Sequence, residues 1–522
     1  MNIAELIQEK ARLMPSKPSV MIANPLGKHY DYPYYTFKEF EERSQRIASR
    51  LHKAGVKKGE RVVLFIRPCL DFSVIVFALF KMGVIPVMID PGMGRKNLLR
   101  AIEEVKPSGL IGVNVVHILR RIFRKSFRSL KWSYSVEKNL FLAPHLLKEL
   151  ETESLEFKVE DMQASDPAAI LFTSGGTGTP KGVITTHGIL VAQTRMLQEM
   201  FSLSSSDIDL PGFPLFALFT LAMGMTSIIP DMDPTKPAQC DPLKIARTLK
   251  DKKITFAAGS PAIWERVGEY CKNNNLTLPD LKYVVMFGAP VRGEIHALWK
   301  EILPHGTTYT PYGATECLPV SLFSGREVLS ETWEKTKHGH GVCIGSEVEG
   351  NKILILDDQN KELPQGQIGE ICVLGATVTP GYFDREEATR LAKIQTPHGL
   401  IHRMGDVGYK DVQNRVWFCG RKTHVVHTSQ GPLYSIQMEG HFNVHPAVKR
   451  SALISYAGEA GIVVELKKGF KFKNVKEDLE KINQKLSHQM KVILSHPAFP
   501  VDVRHNIKID RVALSAWAKG RV

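Results

Sequence analysis

The chain is poor in cysteine and has no arrangement of cysteines that could staple a fold. Its seven, Cys69, Cys240, Cys271, Cys317, Cys343, Cys372 and Cys419, are odd in number and scattered, with no CxxC pair. That pattern excludes a disulfide framework and a thiolate zinc site and suits a reducing cytoplasm, where we expect the protein to work. An unbroken apolar run of membrane-spanning length is also missing. Phe72 to Ile89 comes nearest, yet Lys81, Gly83 and Pro86 interrupt it, so it reads as a buried helix to about Met82 and then a buried strand. Met1 to Ser16 carries Glu5 and Glu9 and has neither the basic start nor the apolar core of a signal peptide, so no export is expected. Internal repeats and low-complexity tracts are absent. Charge is not balanced: 68 Lys and Arg stand against 54 Asp and Glu, a net +14. Such an excess suits an anionic partner, whether a nucleotide, a membrane surface or nucleic acid, and does not choose among them.

What is present is 522 residues that are 43% hydrophobic, more than one core usually organises, so two or more domains are expected. The N-terminal part alternates helices (Ile3 to Leu13, Thr36 to Ala54, Phe72 to Lys81) with short apolar strands (Arg61 to Ile66, Val84 to Ile89). That rhythm predicts an α/β layer, and its return at Ala168 to Phe172, Ile254 to Ala257 and Tyr283 to Phe287 predicts a second layered sheet. Lys352 to Leu356, Glu370 to Leu374 and Val416 to Cys419 read as strands without intervening helices, a β-rich third subdomain. After Gly420 the chain turns polar and basic and then resumes α/β character. We therefore expect an N-terminal domain over 1–420 and a small α+β domain over 421–522.

The most informative stretch, Thr173 to Gly182, follows an apolar strand. Gly175, Gly176 and Gly178 let backbone N–H groups converge, Thr173, Ser174, Thr177 and Thr179 add hydroxyls, and Lys181 adds positive charge. Such a loop suits a polyphosphate, the alternative being a flexible Gly/Thr linker. It is not a Walker A loop, because Pro180 and Gly182 stand where that pattern requires Gly and Ser or Thr.

The same segment resembles the signature loop of the AMP-forming adenylating superfamily, which includes acyl-CoA synthetases, luciferases and nonribosomal peptide adenylation domains. Four further motifs follow in family order: Tyr312-Gly313-Ala314-Thr315-Glu316, Gly405-Asp406, Gly420-Arg421 and the late Lys508. The resemblance implies ATP and Mg²⁺ as cofactors, and a C-terminal domain that rotates about a hinge. It implies that Thr173 to Gly178 and Lys181 hold the phosphates, with Glu316 and Thr173 near the metal, since a hard oxygen ligand suits Mg²⁺. Gly288, Ala289, Pro290 and Tyr312 would line the adenine, Asp406 would accept from both ribose hydroxyls, and Arg421 would sit by the ribose and phosphates. Lys508, Lys181 and Glu316 would carry catalysis, Lys508 by bridging α-phosphate and carboxylate as charge builds between them, Lys181 at the phosphates and Glu316 at the metal. Asn506 and Ile507 replace the family's usual Ser/Thr-Gly before that lysine.

Phe213 to Phe219, Pro230 to Ala238, Gly431-Pro432, His445-Pro446 and Val503 to Lys508 resemble the β-lactone synthetases of bacterial long-chain olefin biosynthesis. That resemblance implies adenylation of a 2-alkyl-3-hydroxy fatty acid, then displacement of AMP by the acid's own 3-hydroxyl. The alternative is a medium- or long-chain acyl-CoA ligase, or an acyl-AMP ligase, which shares the ATP residues. Gly420 to Gly431 lacks the acidic hinge residue and nearby lysine usually found, which argues against a thiol acceptor. A nucleotide-binding scaffold without catalysis is a third possibility, opposed by Lys181, Glu316, Asp406 and Lys508 together. Phe213, Phe216 and Phe219 would wall an acyl pocket or else are plain core, and His187, His427 and His505 are either bases for the second step or ordinary hydrogen-bonded structural histidines. His117 to Trp132 is basic with interleaved apolar residues, either a solvated helix or a surface for a membrane or an olefin-pathway enzyme. No nucleic-acid partner is expected.

Overall fold

Local chemistry sets the first large helix. Thr36 caps Phe37–Lys53 by accepting from Glu39 N, while the Glu39 carboxylate accepts from Thr36 N, so two otherwise orphaned amides are satisfied reciprocally. Against it lies Leu70–Lys81, apolar on every side and buried from Phe72 onward, which is how a helix surrounded by protein reads. Its one buried cation, Lys81, is neutralised by Glu41 of the capped helix. The computed structural model describes residues 1–27, 29–137, 143–155, 157–173, 180–501, 509–519 and 521.

The fold is α/β, with two large sheets, a β-rich sheet and a small C-terminal layer. The first sheet has six strands in the order Lys181–Thr186, Pro167–Thr173, Ile85–Ile89, Arg61–Phe65, Gly109–Gly112, Trp132–Ser135. All neighbours run parallel except the edge hairpin of Pro167–Thr173 and Lys181–Thr186. Burial on both faces explains the unalternated apolar runs of its central strands. The second sheet has nine strands, with Thr307–Ala314, Tyr283–Met286, Phe256–Gly259, Ile208–Pro211, Thr226–Ile229 and Pro18–Ile22 parallel in series. One sequence expectation is corrected here. Pro167–Thr173 joins the first sheet, beside Ile85–Ile89, rather than the second with Tyr283–Met286. Alternation shows that a strand exists; which sheet it enters depends on a crossover spanning about the length of a small domain.

The third sheet is antiparallel, built from Val342–Cys343, Val416–Arg421, Gly399–Lys410, Gly369–Gly375 and Asn351–Leu356, with Lys393–Thr396 on Gly399–Lys410. Beyond it, Val448–Tyr456, Glu459–Leu466 and Val492–Ser495 form a three-stranded sheet flanked by the helices Ser435–Asn443, Phe472–Gln484 and Arg511–Ala518. Ser435–Asn443 packs on Val416–Arg421 and on the helix Trp333–Lys337, so the C-terminal layer lies against the β-rich sheet. Among the described residues no helix is long and apolar enough to cross a membrane. All seven cysteines are free thiols.

Candidate active site

The edge hairpin of the first sheet delivers the glycine-rich segment. Thr173 and Lys181 are register partners at its open end, so the chain leaves one strand and re-enters its neighbour directly opposite. Ser174, Gly175, Gly176, Thr177, Gly178 and Thr179 lie outside the described residues, as do Lys508, Asn506, Ile507 and His505. In the second sheet the parallel strands end toward a common cleft, the position where open α/β sheets usually bind ligands. Gly288, Ala289 and Pro290 follow the end of Tyr283–Met286, and Gly288 takes φ 92°, which a side chain would resist. Thr315 and Glu316 are the two-residue turn between Thr307–Ala314 and Cys317–Ser324, where Ala314 pairs with Cys317.

Among the described residues, the end of the hairpin at Lys181, the Gly288 turn and the Thr315–Glu316 turn border one cleft of about 2630 Å³. Its lining includes Lys181, Gly288 to Pro290, Tyr312 to Glu316, Asp406, Arg421 and the three phenylalanines Phe213, Phe216 and Phe219. Phe216 stacks on Phe287, ring centroids 4.4 Å apart, and meets Phe213 and Phe219 edge-on at about 6 Å. The aromatic row therefore forms a continuous wall beside the Gly288 turn.

Two hydrogen-bonded clusters join the sheets around this cleft. In the first, Tyr312 Oη donates to Asp406 Oδ2 at 2.5 Å, and Arg421 Nη1 lies 3.0 Å from Asp406 Oδ1. Asp406 and Arg421 are register partners on Gly399–Lys410 and Val416–Arg421, which explains their pairing; Asp406 is 4% exposed. Burial, then the Asp406 carboxylate, pushes the Tyr312 phenol well above its ordinary range, so it stays a neutral donor. In the second cluster Tyr382 Oη donates to Glu316 Oε1 at 2.8 Å while the Lys181 ammonium sits 4.8 Å from the centre of the Tyr382 ring. Gly381 to Phe383 runs alongside Lys181–Thr186, with Ile184 N donating to Gly381 O and Phe383 N to Gly182 O. Tyr382 thus spaces the loop lysine from the turn glutamate.

Sequence reasoning missed Tyr382, although a Gly-Tyr pair after Pro380 was a visible signal. It also missed Lys393 and His402, partners across adjacent strands. Burial lowers Lys393 to about 8, and its Nζ lies 3.4 Å from Thr379 Oγ1, which in turn donates to Glu316 O at 2.9 Å. Burial, then Lys393, lowers His402 to about 3, so its ring is neutral; Nδ1 at 3.1 Å from Ala392 O must be the N–H donor, leaving Nε2 as an acceptor.

For His187 the structure favours the ordinary structural histidine over the base. His187 accepts from Ile3 N at 3.2 Å, packs edge-on against Phe80 and is lowered to about 4 by burial; it belongs to the core and does not border the cleft. His427 is exposed on the strand Val426–Thr428 and is likewise not among the cleft residues. Among the described residues, the histidines that border it are His296, His402 and His424.

A large cleft edged by the hairpin of Pro167–Thr173 and Lys181–Thr186 and by the ends of parallel strands defines a ligand-binding α/β protein. The chain belongs to the AMP-binding enzyme family, whose profile matches residues 7–383. It is similar to the olefin beta-lactone synthetase of Xanthomonas campestris pv. campestris, 38% identical over 99% of this chain and 97% of that one. The olefin beta-lactone synthetase of Stenotrophomonas maltophilia is 37% identical over 100% and 98%. Among solved structures, the O-succinylbenzoate coenzyme A synthetase of Bacillus subtilis, in complex with ATP and a magnesium ion, matches with a TM-score of 0.78. It covers 98% of each chain at 20% identity, a likeness of fold.

Proposed function

We propose that this enzyme adenylates a 2-alkyl-3-hydroxy fatty acid with ATP and closes the acyl adenylate to a β-lactone. The observation that carries the reading is end-to-end similarity, at 38% and 37% identity, to two olefin beta-lactone synthetases. In the first step a carboxylate oxygen bonds to the α-phosphorus as the bond to pyrophosphate breaks. In the second, the 3-hydroxyl oxygen attacks the acyl carbon, the acyl–AMP bond breaks with its electron pair leaving on AMP, and the hydroxyl proton is lost. Placing nucleophile and mixed anhydride in one molecule can supply an effective molarity of about 10⁵ M or more, so no second substrate is needed.

In this reading Asp406, held by Tyr312 and Arg421, accepts from the ribose, and Gly288, Ala289, Pro290 and Tyr312 flank the adenine. Lys181 and residues 173–178 hold the phosphates, and the Phe213, Phe216 and Phe219 wall takes the acyl chain. Mg²⁺ suits the donors present. Glu316 offers a hard carboxylate at the cleft, and Mg²⁺ beside a polyphosphate takes one or two carboxylates plus phosphate and water. The metal would neutralise charge on the phosphates. Residues 421–522 are the rotating domain, bringing Lys508 to the α-phosphate, and the enzyme acts in the cytoplasm.

The test is mass analysis of the product from a defined 2-alkyl-3-hydroxy acid with ATP and Mg²⁺, with and without coenzyme A. A lactone formed without the thiol is expected. An acyl-CoA with no lactone would identify an acyl-CoA ligase instead.

A further inference from the structure

Positive charge is concentrated in one surface region. Residues 95–131 contain ten Lys and Arg against only Glu103 and Glu104, a local net +8 out of the chain's +14. The basic segment is less helical than its sequence suggested, since the helix Asn114–Ile122 ends well before Trp132 and the chain continues in turns. On that helix Val116 and His117 are buried, whereas Val115, Ile118 and Ile122 are 54%, 42% and 65% exposed. Their i, i+3, i+7 spacing makes one outward apolar stripe. Helix Arg95–Val105 lies alongside: Arg95 sits over the Phe123 ring, Ser126 Oγ donates to Glu103, and the two segments share a groove of about 810 Å³. Exposed Arg95, Lys96, Arg121, Arg124, Lys125 and Arg128 frame the stripe with positive charge.

A solvated helix has no use for three large aliphatic side chains turned to water, and a nucleic-acid surface would present hydrogen-bonding and aromatic groups between its cations. Aliphatic residues ringed by Arg and Lys match the interface of an anionic bilayer, where the aliphatic tips enter the acyl boundary and the cations meet phosphate headgroups. The patch also adjoins the cleft, because Val115, Val116 and Leu119 of the same helix, with Leu98 of its neighbour, are among the cleft-lining residues. We propose that the helices Arg95–Val105 and Asn114–Ile122 form a platform that docks reversibly on an anionic lipid bilayer. The platform turns the mouth of the cleft toward the membrane. This partner assignment extends the fatty-acid reading, since an acid with two alkyl chains partitions into bilayers rather than water.

The test is co-flotation of the full-length protein with vesicles of phosphatidylcholine alone or mixed with phosphatidylglycerol. Binding to the mixed vesicles, weakened by salt and little or none on phosphatidylcholine, is the expected result. The triple variant Arg121→Glu, Arg124→Glu, Lys125→Glu should reduce it about tenfold or more, since each removed cation weakens attraction to an anionic surface. Ile118→Ser with Ile122→Ser should also reduce it while leaving affinity for a duplex DNA fragment unchanged. Acid-dependent pyrophosphate exchange with a soluble short-chain acid should be unaltered in both variants, which keeps misfolding apart from lost docking. No flotation on mixed vesicles overturns the proposal. Binding to DNA but not to vesicles, abolished by the charge reversals, identifies a nucleic-acid surface and overturns it as well. Flotation is independent of turnover, so a lactone without vesicle binding rejects only the platform, and vesicle binding without a lactone rejects only the proposed function.

Discussion

Asp209 is a carboxyl enclosed by protein. Thr220 Oγ1 and Ser227 Oγ donate to its Oδ2 at 2.7 and 3.2 Å, while Oδ1 is buried with no hydrogen-bond partner among the described residues. Burial raises its pKa to about 7, against about 3.9 in an unfolded chain. Between those values the folded state binds more protons than the unfolded one, so the protein loses stability as pH rises through that window. Asp209→Asn removes the titration. The variant should match the parent near pH 4 and exceed it above pH 7 by a few kcal/mol, on the order of three units at about 1.4 kcal/mol each. Urea unfolding from pH 4 to 8 measures the difference, and parallel curves for the two proteins would reject the assignment.

At the scale of elements, the candidate site depends on how strands from different sheets abut. Tyr312 belongs to Thr307–Ala314 of the nine-stranded sheet and Asp406 to Gly399–Lys410 of the antiparallel one, and their hydrogen bond is a direct tie between the two. A hydrogen bond to a buried carboxylate contributes about 1.5–3 kcal/mol. Tyr312→Phe should therefore lower unfolding free energy by about 2 kcal/mol with the ring still in place. An unchanged denaturation midpoint would show that Arg421 alone holds Asp406.

For the molecule as a whole, the question is whether the C-terminal layer completes the chemistry. It already meets the body through Ser435–Asn443 and through Lys422, which bonds to Asp358 and Glu370 at 3.0 and 3.1 Å just past Gly420-Arg421. If Lys508 is the cation that arrives by rotation, Lys508→Ala should cut acid-dependent pyrophosphate exchange by about 10² or more, the cost of losing one oriented transition-state donor. Nucleotide affinity, read by calorimetry, should hold, because the residues proposed to flank adenine and ribose, Gly288 to Pro290, Tyr312 and Asp406, lie in the body. Equal exchange rates in variant and parent would refute that role.

Much of this was legible in the chain itself. The helix after Thr36 is local, because near-neighbour hydrogen bonds decide it. Strand existence was legible for the same reason: apolar runs between turn signals identify Arg61–Phe65, Tyr283–Met286 and Gly369–Gly375. Sheet membership was not, as Pro167–Thr173 demonstrates. Nor could periodicity reveal that Tyr382 would stand between Lys181 and Glu316, or that His187 would be enclosed against Ile3 and Phe80. By itself the sequence determined residue types and the order of its motifs, from which the phosphate-binding role of the glycine-rich loop is proposed, since those reside in residue type and short spacing. Only the tertiary structure decided which tyrosine, carboxylate and histidine share the cleft, because sheet packing brings together groups far apart along the chain.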